Sequence, residues 1–274
     1  MTTILMNGAS RGFGLHAARR MLDDHPGLRL IVMARGDQPA LPRTRVIRGD
    51  MASLASVREA AAAVGEPLDG YVGNAGVQQM TDTTTTADGL ETTFAVNVIA
   101  HYLLIRSVTF TDNARIVITG SASHFGTFSH NLGLVPAPRW STPSRLARPG
   151  AVGNGRAAYS TSKLGVVYLV HALARHRPQD VYTFNPGFVP GTGLLRYNRV
   201  GDFFWRRVLP HLPGANTVER AGAELAAVAL GPRPAESGAY IDRSTVTPSS
   251  PESYDEARED ELWSDLHRSC TATA

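Results

Sequence analysis

Short apolar runs alternate with longer stretches of helical periodicity along most of the 274 residues, and no other feature restricts the fold of this chain as strongly. TILMNG, LRLIVMAR, TRVIRGD, DGYVGNAG, ARIVITGS and DVYTFNPG read as buried strands closing in Gly, Asp or Asn turn signals, with SGAYID at 237–242 a seventh. LHAARRMLDDH, SLASVREAAAAV, TADGLETTFAVNVIAHYLLIRSV, AYSTSKLGVVYLVHALARH and NTVERAGAELAAVAL carry the 3.6-residue period between them. This βα rhythm predicts an α/β fold: a doubly wound parallel sheet of about seven strands with helices on both faces, a single domain spanning 1–274. Ligands then belong at the carboxyl ends of the strands. Two Gly- and Pro-rich stretches, 122–155 and 187–215, break the rhythm after predicted strands and are expected to be substrate-site loops.

Composition narrows the function. A hydrophobic share of 43% and a charged share of 19% suit a globular core. The net charge of +3 comes from scattered arginines, so no nucleic-acid footprint is expected. The one cysteine, Cys270, cannot form an internal disulfide, no apolar run nears the ~20 residues of a membrane span, and the start does not read as a signal peptide. A cytoplasmic protein is expected, without a transmembrane segment.

The first strand runs into NGASRGFG, which places Gly8, Gly12 and Gly14 at the turn into a helix. Glycines admit close approach of backbone amides to a pyrophosphate, and a helix N-terminus favours the anion. The spacing GxxxGxG departs from GxGxxG, and alone it is a weak signal. The second strand ends in Ala34 and Arg35, where an acidic residue would select ribose hydroxyls and an arginine a 2′-phosphate, so NADP(H) is expected. Ser10 and Arg11 add a second polar, cationic pair.

Among 27 lysines and arginines there is one lysine, Lys163, four residues after Tyr159. On a helix the two share a face. An ammonium beside a phenol is expected to favour phenolate and draw the tyrosine toward the working pH range. A chance YxxxK pair is common in general, but the lone lysine and the upstream glycine turn weigh against chance here.

These residues together resemble the short-chain dehydrogenases/reductases nearly end to end. The glycine turn, with Ser10, Arg11 and Phe13, looks like the family's cofactor motif. GDMASLASVREAA is similar to its third-strand exit, implying that Asp50 and Met51 border the adenine. GNAG resembles the NNAG turn (Asn74, Ala75, Gly76), with Gly73 in place of the first Asn. FAVNVIAHYLL puts Asn97 at the position of the asparagine of the family's tetrad, RIVITGSASH puts Ser121 after the fifth strand, and PGFVPGTG resembles the nicotinamide-covering segment, with Pro186, Gly187, Val189 and Thr192. The resemblance implies a tetrad of Asn97, Ser121, Tyr159 and Lys163. Ser121 and Tyr159 would bond the substrate oxygen, Tyr159 would transfer the proton, Lys163 would lower the tyrosine pKa and hold the ribose, and Asn97 would fix a water leading to solvent. Ser123 is the alternative hydroxyl, less well aligned. The tail from residue 237 and the Ser-to-Tyr gap look most like the retinol dehydrogenase and protochlorophyllide reductase branch, though no cysteine near the site supports light-driven chemistry.

The function expected is NADPH-dependent reduction of a ketone on a bulky, apolar, aromatic or polyketide-like molecule. A non-catalytic NADP(H)-binding sensor or scaffold, and reduction of an activated C=C bond, are the alternatives; the glycine spacing argues against an epimerase. Homodimer and monomer both stay open. His124 and His130 match no zinc spacing, so no metal is expected, and both read as polar surface groups. Trp140 is a candidate pocket wall. Phe203, Phe204 and Trp205 with Arg206 and Arg207 read as a lid helix, a substrate cap or a membrane-touching segment.

Overall fold

The computed structural model describes residues 2–81, 83–131, 133, 135–190 and 215–271. In chain order come β1 (Thr2–Asn7), α1 (Gly12–Asp24), β2 (Leu28–Ala34), β3 (Thr44–Arg48), α2 (Leu54–Val64), β4 (Leu68–Gly73), α3 (Thr92–Phe94), a π-helical turn (Ala95–Ile99) and α4 (Ala100–Ser107). They are followed by β5 (Phe110–Thr119), a 3-10 turn (Ala122–Phe125), α5 (Phe128–Asn131), α6 (Pro143–Leu146), α7 (Gly155–His176), β6 (Asp180–Asn185), α8 (Val218–Leu230), β7 (Tyr240–Asp242), β8 (Thr245–Thr247), a second 3-10 turn (Pro251–Tyr254) and α9 (Glu256–Thr271).

The sheet runs β3-β2-β1-β4-β5-β6-β7-β8, parallel from β3 to β7. Strand order reverses between β1 and β4, which opens a crevice at their carboxyl ends. Side chains alternate with the pleat: Leu5, Ile31, Tyr71, Ile116 and Ile118 pack toward α2, α4 and α7, and Ile4, Met6, Leu30, Val72, Val117 and Phe184 toward α1 and α8. At roughly 1.5–3 kcal/mol for each fully buried aliphatic or aromatic side chain, these two layers hold the strand ends in register.

Three elements differ from expectation. An eighth strand pairs antiparallel with β7 through a turn at Arg243, whose φ is 59°; its three residues, TVT, are too few and too exposed to leave an apolar signal. The helix expected from Thr86 begins at Thr92, because Gly89 takes φ 76° and the buried Glu91 carboxylate caps Thr93 and Phe94 amides at 3.0 and 2.7 Å. The tail forms α9, which buries Leu262, Leu266 and Cys270, spaced four apart, against the layer of α4 and α7. Among the described residues no helix is long and apolar enough to cross a membrane.

A closed polar network joins the crevice edges. Asn7 Oδ1 accepts from the amides of Asn74 and Ala75 at 2.8 and 2.6 Å, and Asn7 Nδ2 donates to the Tyr71 hydroxyl at 2.8 Å. His101 Nε2 donates to the Ala75 carbonyl at 3.0 Å, which leaves Nδ1 to accept from the Tyr71 hydroxyl at 2.6 Å. Gly73 has no side chain because a Cβ there would come within 2.8 Å of His101 Nδ1.

Burial, helped by the nearby Lys163 charge, pushes the His101 imidazole down to about 4. A histidine with a lowered folded pKa binds more protons when unfolded, so its stabilisation is full above about 6.5 and is lost as pH falls toward 4. Urea unfolding at pH 7 and pH 5 should show wild type losing on the order of 2 kcal/mol through this group. His101→Gln, less stable at pH 7, should lose that much less over the interval; equal losses in the two proteins would show that His101 is not held neutral.

Candidate active site

The glycine turn closes onto β4. A Cβ on Gly14 would stand 2.1 Å from the Gly8 carbonyl and 2.4 Å from Asn74 Nδ2, so the α1 backbone touches the Asn74 turn directly. Asn74 Nδ2 donates to Gly8 O at 2.9 Å, and its Oδ1 accepts from Thr119 Oγ1 at 3.0 Å, tying the turn to β5. Arg11 precedes α1 in extended conformation with no side-chain cap, and the first turn holds no acidic residue, so the helix N-terminus is left to an outside anion. Arg35 leaves β2 with its side chain 79% exposed and Nη1 3.9 Å from Asp50 Oδ2. Such an exposed pair is weak, and the guanidinium is available to a phosphate.

On the other side of the crevice α7 presents Tyr159 and Lys163. Asn154 caps the helix by accepting from the Ala157 amide at 3.0 Å. Lys163 Nζ donates to the Thr119 carbonyl at 2.8 Å and lies 5.7 Å from the Tyr159 ring centroid. Ser121 borders the same cavity as Tyr159, its Oγ accepting from the Ser123 amide at 3.2 Å, and its side chain favours the phenolate form of Tyr159. Asn97 sits in the π-helical turn, where the extra backbone residue aims it at β4's exit. Its Oδ1 accepts from Val77 N at 2.9 Å, and its Nδ2 donates to Val77 O and Ser162 Oγ at 3.0 and 2.9 Å.

Gly8, Ser10, Arg11, Gly12, Phe13, Gly14, Arg35, Asn74, Ala75, Gly76, Ser121, Tyr159, Lys163, Pro186, Gly187 and Val189 all border one cavity of about 560 Å³. Asp50 and Met51 do not line it; Met51 is buried with its sulfur 3.5 Å from Asn7 Nδ2, and Asp50 Oδ1 accepts from the Ala52 amide at 3.0 Å. Asn97 is behind the wall, and Thr192 lies outside the described residues, as do Phe203, Phe204, Trp205, Arg206 and Arg207. From the 122–155 loop, Ala122, Ser123, His130, Asn131 and Val135 reach the cavity.

Three expectations are corrected. Trp140 is no pocket wall: its ring packs edge-on against Phe94 and Tyr168, at 6.4 and 4.6 Å, in the core behind α7. His124 is no surface group but 1% exposed, bonded at both ring nitrogens. The Tyr159 phenol is not drawn down by its lysine. Burial pushes it up to about 12, with the Ser121 side chain the opposing influence, and burial lowers Lys163 to about 8. Desolvation wins because both groups are enclosed in protein. The result is a phenol that holds its proton at neutral pH beside a serine hydroxyl, an arrangement able to bond a carbonyl oxygen and protonate it.

Sequence comparison accords with this geometry. Residues 2–131 match the family model for short chain dehydrogenase. Human retinol dehydrogenase 13 is 28% identical, the alignment covering 97% of this chain and 83% of that protein. Chloroplastic protochlorophyllide reductase of Chlamydomonas reinhardtii is 29% identical, over 95% of this chain and 76% of that protein. Among solved structures, an NADPH-bound carbonyl reductase from chicken fatty liver superposes with a TM-score of 0.61 at 17% identity, covering 90% of this chain and 94% of that one. The first half of the chain thus carries the short chain dehydrogenase pattern, and over nearly its whole length the chain is similar to retinol dehydrogenases and protochlorophyllide reductases.

Proposed function

We propose that the protein is an NADPH-dependent reductase acting on the ketone or related carbonyl of a bulky, apolar small molecule, aromatic or polyketide-like. The observation that carries this reading is that Ser121, Tyr159 and Lys163 border the same cavity as the glycine turn and Arg35. The residues present fit a phosphorylated dinucleotide: uncapped α1 amides and Arg11 for the pyrophosphate, Arg35 for a 2′-phosphate, and the Asn74–Gly76 turn along the crevice. When bound, NADPH supplies the hydride.

The protein's own residues handle the oxygen. Ser121 and Tyr159 donate to the carbonyl oxygen, polarising the carbon, and as that carbon takes up hydride the phenol O–H bond breaks toward the developing alkoxide, giving the alcohol. A phenol near 12 is a poor spontaneous acid, but an alkoxide is a stronger base than a phenolate, so the transfer runs downhill. The Lys163 ammonium stabilises the phenolate left behind until solvent returns the proton. Asn97 has committed its amide to Val77 and Ser162 and so braces the pocket floor next to Lys163. Val135, Phe188 and Val189 supply apolar wall for the rest of the substrate.

NADPH oxidation over a panel of acetophenone, benzil and 2-decanone tests the reading. Tyr159→Phe should lower kcat/KM by about 10²–10⁴ while NADPH affinity stays within about threefold; retained activity would remove the tyrosine from the chemistry. Arg35→Ala should weaken NADPH binding by roughly 10- to 100-fold and leave NADH nearly unchanged, the loss of one charge-assisted contact. Equal losses for both cofactors would dismiss the 2′-phosphate assignment. For the free enzyme, kcat/KM should hold steady from about pH 6 to 7 and fall as pH rises through about 8, where Lys163 gives up its charge. A profile still rising at pH 9 would contradict that role.

A further inference from the structure

The reductase reading makes the Ser121 hydroxyl a contact to the reacting oxygen, and a hydroxyl on a turn is only as well aimed as the peptide that carries it. Ser121 leaves β5 in extended conformation and caps the 3-10 turn, its Oγ accepting from the Ser123 amide at 3.2 Å and its carbonyl from the His124 amide at 3.3 Å. The His124 ring contacts that carbonyl through Nδ1 at 2.7 Å, and its Nε2 lies 3.0 Å from the Ser250 amide nitrogen. A carbonyl can only accept and an amide N–H can only donate, so the two contacts fix the ring completely. Nδ1 carries the hydrogen, Nε2 is bare, and the imidazole is neutral. Burial, which lowers this histidine to about 4, agrees with that assignment. Aromatic neighbours hold the ring on two sides, Phe125 at 4.3 Å and Tyr240 at 4.9 Å between centroids.

Ser250 is itself anchored. Its carbonyl accepts from the Ser253 amide at 2.9 Å and the Ser253 hydroxyl at 2.6 Å. One residue before, in the same 3-10 turn, the Glu252 carbonyl accepts from the Tyr168 hydroxyl at 2.7 Å. Tyr168 lies on α7, the helix that presents Tyr159. The tail, the imidazole and the serine turn thus form one connected path that starts on the tyrosine's own helix and ends at the serine.

We propose that His124 is a positioning residue for Ser121: its Nδ1–H holds the Ser121 carbonyl and so aims the hydroxyl, while the Ser250 amide selects the tautomer that makes this possible. The logic is that of any oriented imidazole, in which the bond at one nitrogen sets what the other can do. It predicts that the C-terminal tail, far along the chain, reaches the reaction through one side chain.

Three variants test it in the NADPH assay, on the ketone that wild type reduces fastest. His124→Phe keeps a ring and removes both bonds; His124→Asn keeps an amide donor at the Nδ1 position; His124→Gln places its amide at the Nε2 position, near Ser250. The expected result is a roughly tenfold or greater loss of kcat in His124→Phe, with KM for the ketone and NADPH affinity within about twofold, since the hydroxyl's aim matters most in the transition state. His124→Asn should recover most of the loss and His124→Gln little. Recovery by Gln and not by Asn would mean that tying down the tail is what counts, and would overturn the proposal. So would an unchanged kcat in all three, or a fall in NADPH affinity that keeps pace with kcat. Should His124→Phe fail to fold, the Asn and Gln pair decides alone. A wild-type chain that reduces no ketone overturns the reductase reading and this inference with it, whereas an active wild type with indifferent variants overturns only this one.

Discussion

One carboxamide oxygen, on Asn7, accepts from two consecutive amides across the point where the sheet changes direction. The crevice depends on this contact. It ties the last residue of β1 to the turn after β4, and the glycine turn on one side and Asn74 on the other are then only a hydrogen bond apart. Where family resemblance would put an asparagine, this chain has Gly73, and the space above it is filled by the His101 and Tyr71 side chains. Each polar atom in the Asn7, Tyr71 and His101 ring has a partner, which lets it sit buried without the ~1–3 kcal/mol that an unpaired buried group costs.

Electrostatics in the site follow burial more than charge. A lysine four residues after a tyrosine is legible in sequence as an ion-assisted phenol, yet side-chain spacing says nothing of how much water the pair keeps. In the folded chain the phenol is enclosed and its ammonium neighbour is occupied by the Thr119 carbonyl. Removing solvent disfavours phenolate and ammonium alike, so the two values move apart, each favouring its own group's neutral form. For a group proposed to give up a proton to an alkoxide, holding it firmly until the hydride arrives is the useful behaviour.

What the sequence disclosed and what it concealed divide along a physical line. The inner strands of the parallel sheet are buried on both faces and therefore write apolar runs, and the turn at Gly8 to Gly14 and the Tyr159–Lys163 spacing are local patterns that need no knowledge of neighbours. β8 wrote almost nothing, since an exposed edge of three residues has no periodicity to show. Trp140, His101 and His124 were illegible for another reason: their partners are Tyr168, Tyr71 and Ser250, brought close only by the fold. His124 follows Ser121 by three residues in SASH, but nothing local says that a residue 126 positions later donates to its ring.

The division of labour between the basic side chains makes the same point. Surface arginines such as Arg20 and Arg48 pair with Asp24 and Asp37 in water, where each contact is worth at most about 1 kcal/mol and little depends on its geometry. A guanidinium in the place of Lys163 would bring five N–H donors into a space where Asn97, Ser162 and Thr119 already have their hydrogen bonds in place, and any it could not match would be buried unsatisfied. A compact ammonium can spend one hydrogen on Thr119 and turn the remaining two toward the cavity it borders. The selection for lysine at this position is therefore a matter of donor count and shape in a desolvated wall, which explains why a chain so rich in arginine keeps its one exception there.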